Sequence, residues 1–176
     1  MFSPQTEWLP PESFPDLSKY DEVAIDLETK DPQLKTMGSG SVTGRGKIVG
    51  IALAVKDWSG YFPIAHEGGG NMDEKMVMDY FRTVLNYPST KIFHNSMYDV
   101  CFIRAAGLKI NGTIVDTMIA GSLVDENRFR YDLGSMGRDY LGRGKNEAVL
   151  NETAALWGVD PKSEMYKLPA MYVGEY

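Results

Sequence analysis

Apolar positions recur along this chain with two different periods. Residues 22–28 (EVAIDLE), 47–55 (KIVGIALAV) and 60–65 (GYFPIA) alternate or run solidly apolar, which predicts strands. Trp58 and Ser59, just before Gly60, predict a hairpin-like turn between the last two. Residues 72–86 change to helical spacing, with Met76, Met78, Tyr80, Phe81, Val84 and Leu85 forming the apolar face. A short strand at 91–95 (KIFHN) precedes a helix at 96–108, with Ser96 as its cap and Gly107 as its stop. The stretch GTIVDTMIAGSLV begins as a strand and passes into a helix, and from 131 onward the pattern is helical. Strands first, then strands alternating with helices, predict an α/β fold with a mixed central sheet flanked by helices.

Residues 1–20 read as an irregular lead-in, broken by prolines at 4, 10, 11 and 15, so the domain proper is expected over 21–176. Two segments read as mobile surface loops. One is 30–47, rich in Gly and Ser and carrying Lys30, Lys35, Arg45 and Lys47; the other is the Gly-rich turn 66–71. Neither matches a phosphate-binding loop.

The 176 residues, 43% of them hydrophobic, suffice for one domain with a sizeable core. A formal charge of −6 leaves no global field for nucleic acid, so any such contact is local or mediated by cations. Cys101 is the single cysteine, which excludes an internal disulfide and suits a reducing compartment; its apolar neighbours predict a small core residue. No apolar run approaches a membrane span, and the first residues lack the pattern of a signal peptide. A cytoplasmic protein is expected.

The chemistry concentrates in acids. Asp26 and Glu28 are one residue apart at the end of an apolar strand, so both carboxylates point the same way. They could be two solvated acids, or a pair aimed at a cation. In FHNSMYDV, Asn95 and Asp99 share one face of a helix start, where Asp99 also suits the helix dipole. Acids gathered from separate elements call for a hard cation, Mg²⁺ or Mn²⁺. With two histidines and one cysteine, zinc is excluded as the natural choice, and His94 reads as a packing residue. Carboxylate-held metal pairs perform phosphoryl hydrolysis.

The motifs AIDLET, HNSMYD and IVDTMIAGSLVDENRFRYDLGSMGRDYLG, in that order, resemble the 3′–5′ proofreading exonuclease domain of family A (DNA polymerase I-like) polymerases, from about residue 20 to the end. That resemblance implies the RNase H-like fold of the DEDD superfamily and hydrolysis at the 3′ end of single-stranded DNA. By it, Asp26 would bridge two metal ions, Glu28 would ligate one, and Asp99 would hold the second through water. Leu27, Thr29, Asn95 and Tyr98 would line the substrate, and Asp116 would be structural. Tyr176 resembles the tyrosine of the third motif, which orients the attacking water; Tyr172 would need an acid at 176, where Tyr176 stands. The family's fourth carboxylate and its polymerase domain are not in the sequence, so a fragment of a bacterial or phage polymerase is expected, with one metal ligand missing. RNase D-like or Werner-like nucleases share the first two motifs, and a non-catalytic DNA-end-binding module would explain the missing acid.

Overall fold

The computed structural model describes residues 5–176. A five-stranded sheet runs in the order β3-β2-β1-β4-β5. Its strands are β1 (Glu22–Lys30), β2 (Lys47–Val55), β3 (Trp58–Pro63), β4 (Thr90–Phe93) and β5 (Ile114–Asp116). β1, β2 and β3 pair antiparallel, whereas β4 runs parallel to β1 and β5 parallel to β4, so the sheet is mixed. The helices are α1 (Leu34–Met37), α2 (Gly40–Thr43), α3 (Glu74–Asn86), α4 (Ser96–Ala105), α5 (Thr117–Val124), α6 (Leu133–Leu141), α7 (Ala148–Trp157) and α8 (Ala170–Gly174). A 3-10 turn, Met165–Lys167, precedes α8.

Strand alternation divides β1 between two environments. Val23, Ile25 and Leu27 point into a core shared with Ile51, Leu53 and Phe62 of the neighbouring strands and with Phe81, Leu85 and Ile103 of α3 and α4. Ala24, Asp26 and Glu28 therefore face the other side. There a smaller cluster of Tyr61, Leu150, Ala154, Met165, Leu168 and Val173 covers only part of the sheet.

Several local expectations change. The apolar face of α3 is Val77, Phe81, Val84 and Leu85, at helical spacing; Met76 lies outside it, 59% exposed, while Met78 and Tyr80 pack at its margin. Asp73 rather than a residue at 72 opens this helix, its carboxylate accepting the Met76 N–H at 2.8 Å. The β2–β3 turn falls on Lys56 and Asp57. Gly60 lies within β3 opposite Leu53, and a Cβ there would meet Trp58 and Pro11 at 2.7–2.9 Å. Packing, not turn geometry, calls for glycine at that position.

Segment 30–47, expected as a mobile loop, contains α1 and α2 and is tied down by Asp31, whose carboxylate oxygens accept the Gly40 N–H at 3.0 and 3.1 Å. The 66–71 turn is closed by Asn71, which exchanges bonds of 2.7 and 2.8 Å with the His66 backbone. Residues 5–20 form no helix or strand, yet Leu17 is fully buried and Phe14 stacks on Phe62 at 5.7 Å. The first four residues of the lead-in, Pro4 among them, lie outside the described part. Cys101 is half-buried rather than a full core residue.

Candidate active site

Three strands shape the floor of a cleft. In register across the free face stand Glu28 and Gly50, then Asp26, Ala52 and Tyr61, then Ala24, Ala54 and Ser59. Small residues keep this floor low beside the acids. Gly50 has no alternative: a Cβ there would lie 1.9 Å from the Tyr61 hydroxyl. A register shift between Glu28 and Thr29 marks a bulge at the end of β1, a device that re-aims side chains at strand ends. The cleft, of about 750 Å³, is walled by Trp8, His94, Leu133, Lys145, Glu175 and Tyr176.

Asp99 reaches this region from the first turn of α4. It is buried, and its Oδ1 accepts the Leu27 N–H at 3.1 Å. The turn that aims α4 is strained. Asn95 adopts a left-handed conformation (φ 64°), the one positive-φ residue other than glycine among the described residues. Asp116 holds it there, accepting the N–H of Asn95 at 3.1 Å and of Ser96 at 2.7 Å while capping α5 through the Met118 N–H at 2.9 Å. The cap of α4 is thus supplied by Asp116 and not by the Ser96 side chain. Burial works against the Asp116 charge, but these N–H donors hold its carboxyl below the usual range. Asp116 is structural, as the family resemblance implied.

The electrostatics of the three acids are unbalanced. Among the described residues, neither Asp26 nor Glu28 has a hydrogen-bond donor or a direct ion pair. Burial, then the charge of Asp26, pushes Glu28 up to about 8. Burial, then Asp26 again, pushes Asp99 up to about 7. Asp26 is raised by desolvation, which Lys145 and His94 partly offset; water reaches its carboxylate, but the walls of the cleft crowd it. The donor set is all oxygen and acidic, which fits a hard divalent cation and not a soft one. Asp99 feels the charge of Asp26 and is felt by Glu28, but it does not line the cleft with them, and among the described residues no three acidic, His or Cys side chains stand close enough together to hold a metal ion.

The remaining expected residues divide. Tyr176 lines the cleft with Asp26 and Glu28, whereas Tyr172 does not. The Leu27 side chain is buried in the opposite core, so Leu27 offers the site only its N–H to Asp99, not a wall for substrate. Thr29 Oγ1 and Tyr98 Oη are bonded at 2.7 Å, and Tyr98 donates to Asp31 at 3.1 Å, which turns this pair toward the α1–α2 segment. Asn95 is exposed at its turn. His94 is held through Nδ1 by Thr117 Oγ1 at 2.9 Å, a packing role, and its ring also borders the cleft.

Sequence reading missed Trp8, Tyr61 and Lys145. Trp8 packs on Tyr61 at 6.0 Å, and Tyr61 bonds His66 Nε2 at 2.5 Å beneath Glu28. Lys145 donates to the Tyr176 hydroxyl. Pattern alone does not mark these residues, because each comes from a segment far along the chain from the acids.

Comparison with known proteins identifies the family and the fold. The family described as 3′–5′ exonuclease matches residues 3–170. A DNA-directed DNA polymerase of Pseudomonas phage M6 is 34% identical over 97% of this chain and 27% of its own length. DNA polymerase I of Borreliella burgdorferi is 26% identical over 71% of this chain and 13% of its own. The chain therefore spans about a quarter or less of these relatives. Among solved structures, Brucella melitensis NrnC with bound Mg²⁺ superposes with a TM-score of 0.56 at 17% identity, covering 91% of this chain and 86% of that one. Escherichia coli RNase D, an exoribonuclease, superposes with a TM-score of 0.54 at 14% identity, over 89% of this chain and 37% of that one. The structural likenesses establish the fold, an RNase H-like mixed five-stranded sheet flanked by helices.

Proposed function

The chain belongs to the 3′–5′ exonuclease family, and on that premise we propose that its cleft removes nucleotides from the 3′ end of single-stranded DNA for a DNA polymerase. One observation supports the reading: Asp26 and Glu28 line the cleft with no hydrogen-bond donor or ion pair among the described residues, and the charge of Asp26 reaches the buried Asp99 of α4, so this region has an excess of negative charge. Asp26, Glu28 and Asp99 would hold Mg²⁺ or Mn²⁺. When bound, such cations lower the pKa of an attacking water and stabilise the leaving oxygen. Three donors under-ligate the cations, so a fourth oxygen donor is part of the proposal.

The chain's own residues then have distinct tasks. The Leu27 N–H fixes the Asp99 carboxylate. Tyr176, its hydroxyl kept protonated by burial, faces the acids and orients water. The low floor at Gly50 and Ala52 leaves room for a sugar. Thr29 and Tyr98, bonded to each other on the α1–α2 side, would meet the strand outside the cleft, whose lining holds neither of them nor Asn95. The strand's phosphates need positive charge in an acidic protein. Residues 128–145 carry five basic residues (Arg128, Arg130, Arg138, Arg143, Lys145) against two acids (Asp132, Asp139), with Phe129 fully exposed among them. Basic and aromatic residues so interleaved suit a single strand. Arg128 is paired to Asp139 at 2.7 Å, as Lys30 of the other basic segment is to Glu67 at 2.5 Å, whereas Arg130, Arg138, Arg143 and Lys145 form no ion pair among the described residues.

The relatives are phage and bacterial polymerases, so the proposed setting is a bacterial cytoplasm, with a polymerase domain as partner. No helix among the described residues is long and apolar enough to cross a membrane.

Calorimetric titration with Mn²⁺ and degradation of a 3′-labelled strand test the proposal. Wild-type protein is expected to bind Mn²⁺. Asp26→Ala is expected to lose that heat and to cut on the order of 10³-fold more slowly, the loss of several kcal/mol of metal-borne stabilisation. Equal heats and equal rates would overturn the assignment.

A further inference from the structure

An anionic strand has to enter a cleft whose chemistry is acidic. Among the described residues lining that cleft, Lys145 is the one lysine or arginine. It stands on the loop between α6 and α7, with its side chain open to solvent. No carboxylate among the described residues forms an ion pair with it. Its ammonium instead donates to the Tyr176 hydroxyl and lies 4.8 Å from the centre of that ring. A lysine that completed the fold would be buried or paired, as Lys91 is: fully buried, it donates to the carbonyls of Tyr87, Ser89 and Asn111. Lys145 is neither. Its charge faces Asp26 and Glu28 across the cleft while bonded to the tyrosine assigned to the water.

We propose that Lys145 contacts the last internucleotide phosphate of the bound strand, and that Tyr176 holds its ammonium ready until the strand arrives. The inference rests on the reading of this cleft as the site for a DNA 3′ end. Lysine suits the task, being a compact point charge on a flexible stem that can turn from the tyrosine to a phosphate. Desolvation opposes its charge, but Tyr176, Asp26 and Glu28 more than compensate, so the ammonium is firmly charged on arrival of the strand. Transfer of Lys145 to the phosphate would also release the Tyr176 hydroxyl for water, coupling strand entry to assembly of the site.

Binding in EDTA tests this without any cutting. The probes are a short single-stranded oligodeoxynucleotide and the same strand with a neutral methylphosphonate at its last linkage. Lys145→Met should weaken binding of the first probe several-fold and lower its salt slope by about one. Lys145→Arg should retain most of the affinity. The methylphosphonate strand should bind wild type and Lys145→Met alike, because the charge that Lys145 meets is gone. An equal loss on both strands would place the role of Lys145 elsewhere, and no loss on either would remove it from the substrate; both overturn the proposal. If wild-type protein binds a strand whose 3′ end is closed into a hairpin as well as a free one, the 3′-end reading of the cleft falls, and the proposal with it. The lysine stands on an exposed loop, so both variants are expected to fold; Lys145→Met loses a charge that Asp26, Glu28 and Tyr176 favour, so a small drop in its melting temperature is expected, and Lys145→Arg should keep the wild-type value.

Discussion

At the scale of single residues, the site is a problem of charge. Glu28 and Asp99 hold protons up to about 8 and about 7, whereas the same groups in an unfolded chain release theirs near pH 4. Between those limits the folded state binds more protons than the unfolded one, so stability falls as pH rises through that window and levels off above about 8. In EDTA, the melting temperature of wild type relative to Glu28→Gln should therefore drop between pH 5 and pH 8. Saturating Mn²⁺ should abolish the drop, since the cation replaces the proton. A constant difference across that range in EDTA would contradict the proposed crowding of the acids. Asp26 and Glu28 were legible in the sequence because strand alternation puts both on one face. The extent to which they hold protons was not, because it depends first on burial by segments distant along the chain, and only in last place, for Glu28, on the charge of Asp99, 71 residues further on by subtraction of their numbers.

At the scale of elements, β1 and α4 present the acids, and the segment between β1 and β2 braces them. Asp31 accepts the Gly40 N–H and the Tyr98 hydroxyl, so one carboxylate joins the α1–α2 segment to the first turn of α4. Gly40 and Gly46 permit this close packing: a Cβ on Gly46 would lie 2.9 Å from both Gly40 and the Phe102 ring. Asp31→Ala should free the segment. Amide exchange at Gly40 should quicken by at least tenfold, corresponding to about 1.4 kcal/mol of lost local stability. Unchanged exchange would show that the two helical turns hold without the carboxylate. The composition of 30–47 pointed to a solvated loop because Gly, Ser and Lys lower helix and strand propensity alike. Local propensity does not register an N–H bonded to an acid nine positions away.

At the scale of the whole molecule, the cleft is closed by segments from both ends of the chain. Trp8 lies against Gly174 of α8, where a Cβ would meet the indole at 2.2 Å, and Thr6 donates to Glu175 at 3.0 Å. These contacts seat α8, and α8 delivers Tyr176 to the acids. Gly174→Ala should force the indole out, destabilise the protein by about 1–3 kcal/mol in urea unfolding, and lower the nuclease rate through a displaced Tyr176. Full stability in this variant would show that Trp8 yields without cost. The sequence by itself determined the strand and helix order, the mixed sheet and the paired acids, since periodicity of two or of 3.6 residues is a property of neighbours along the chain. It also carried the motifs that mark the exonuclease family. Tertiary structure alone decided that Gly50 lies under Tyr61, that Asp116 sets the turn before α4, and that Lys145 and Trp8 join the cleft. Those are contacts between distant segments, chosen by which surfaces can be buried together and which charges can be left facing one another, and no local pattern encodes that choice.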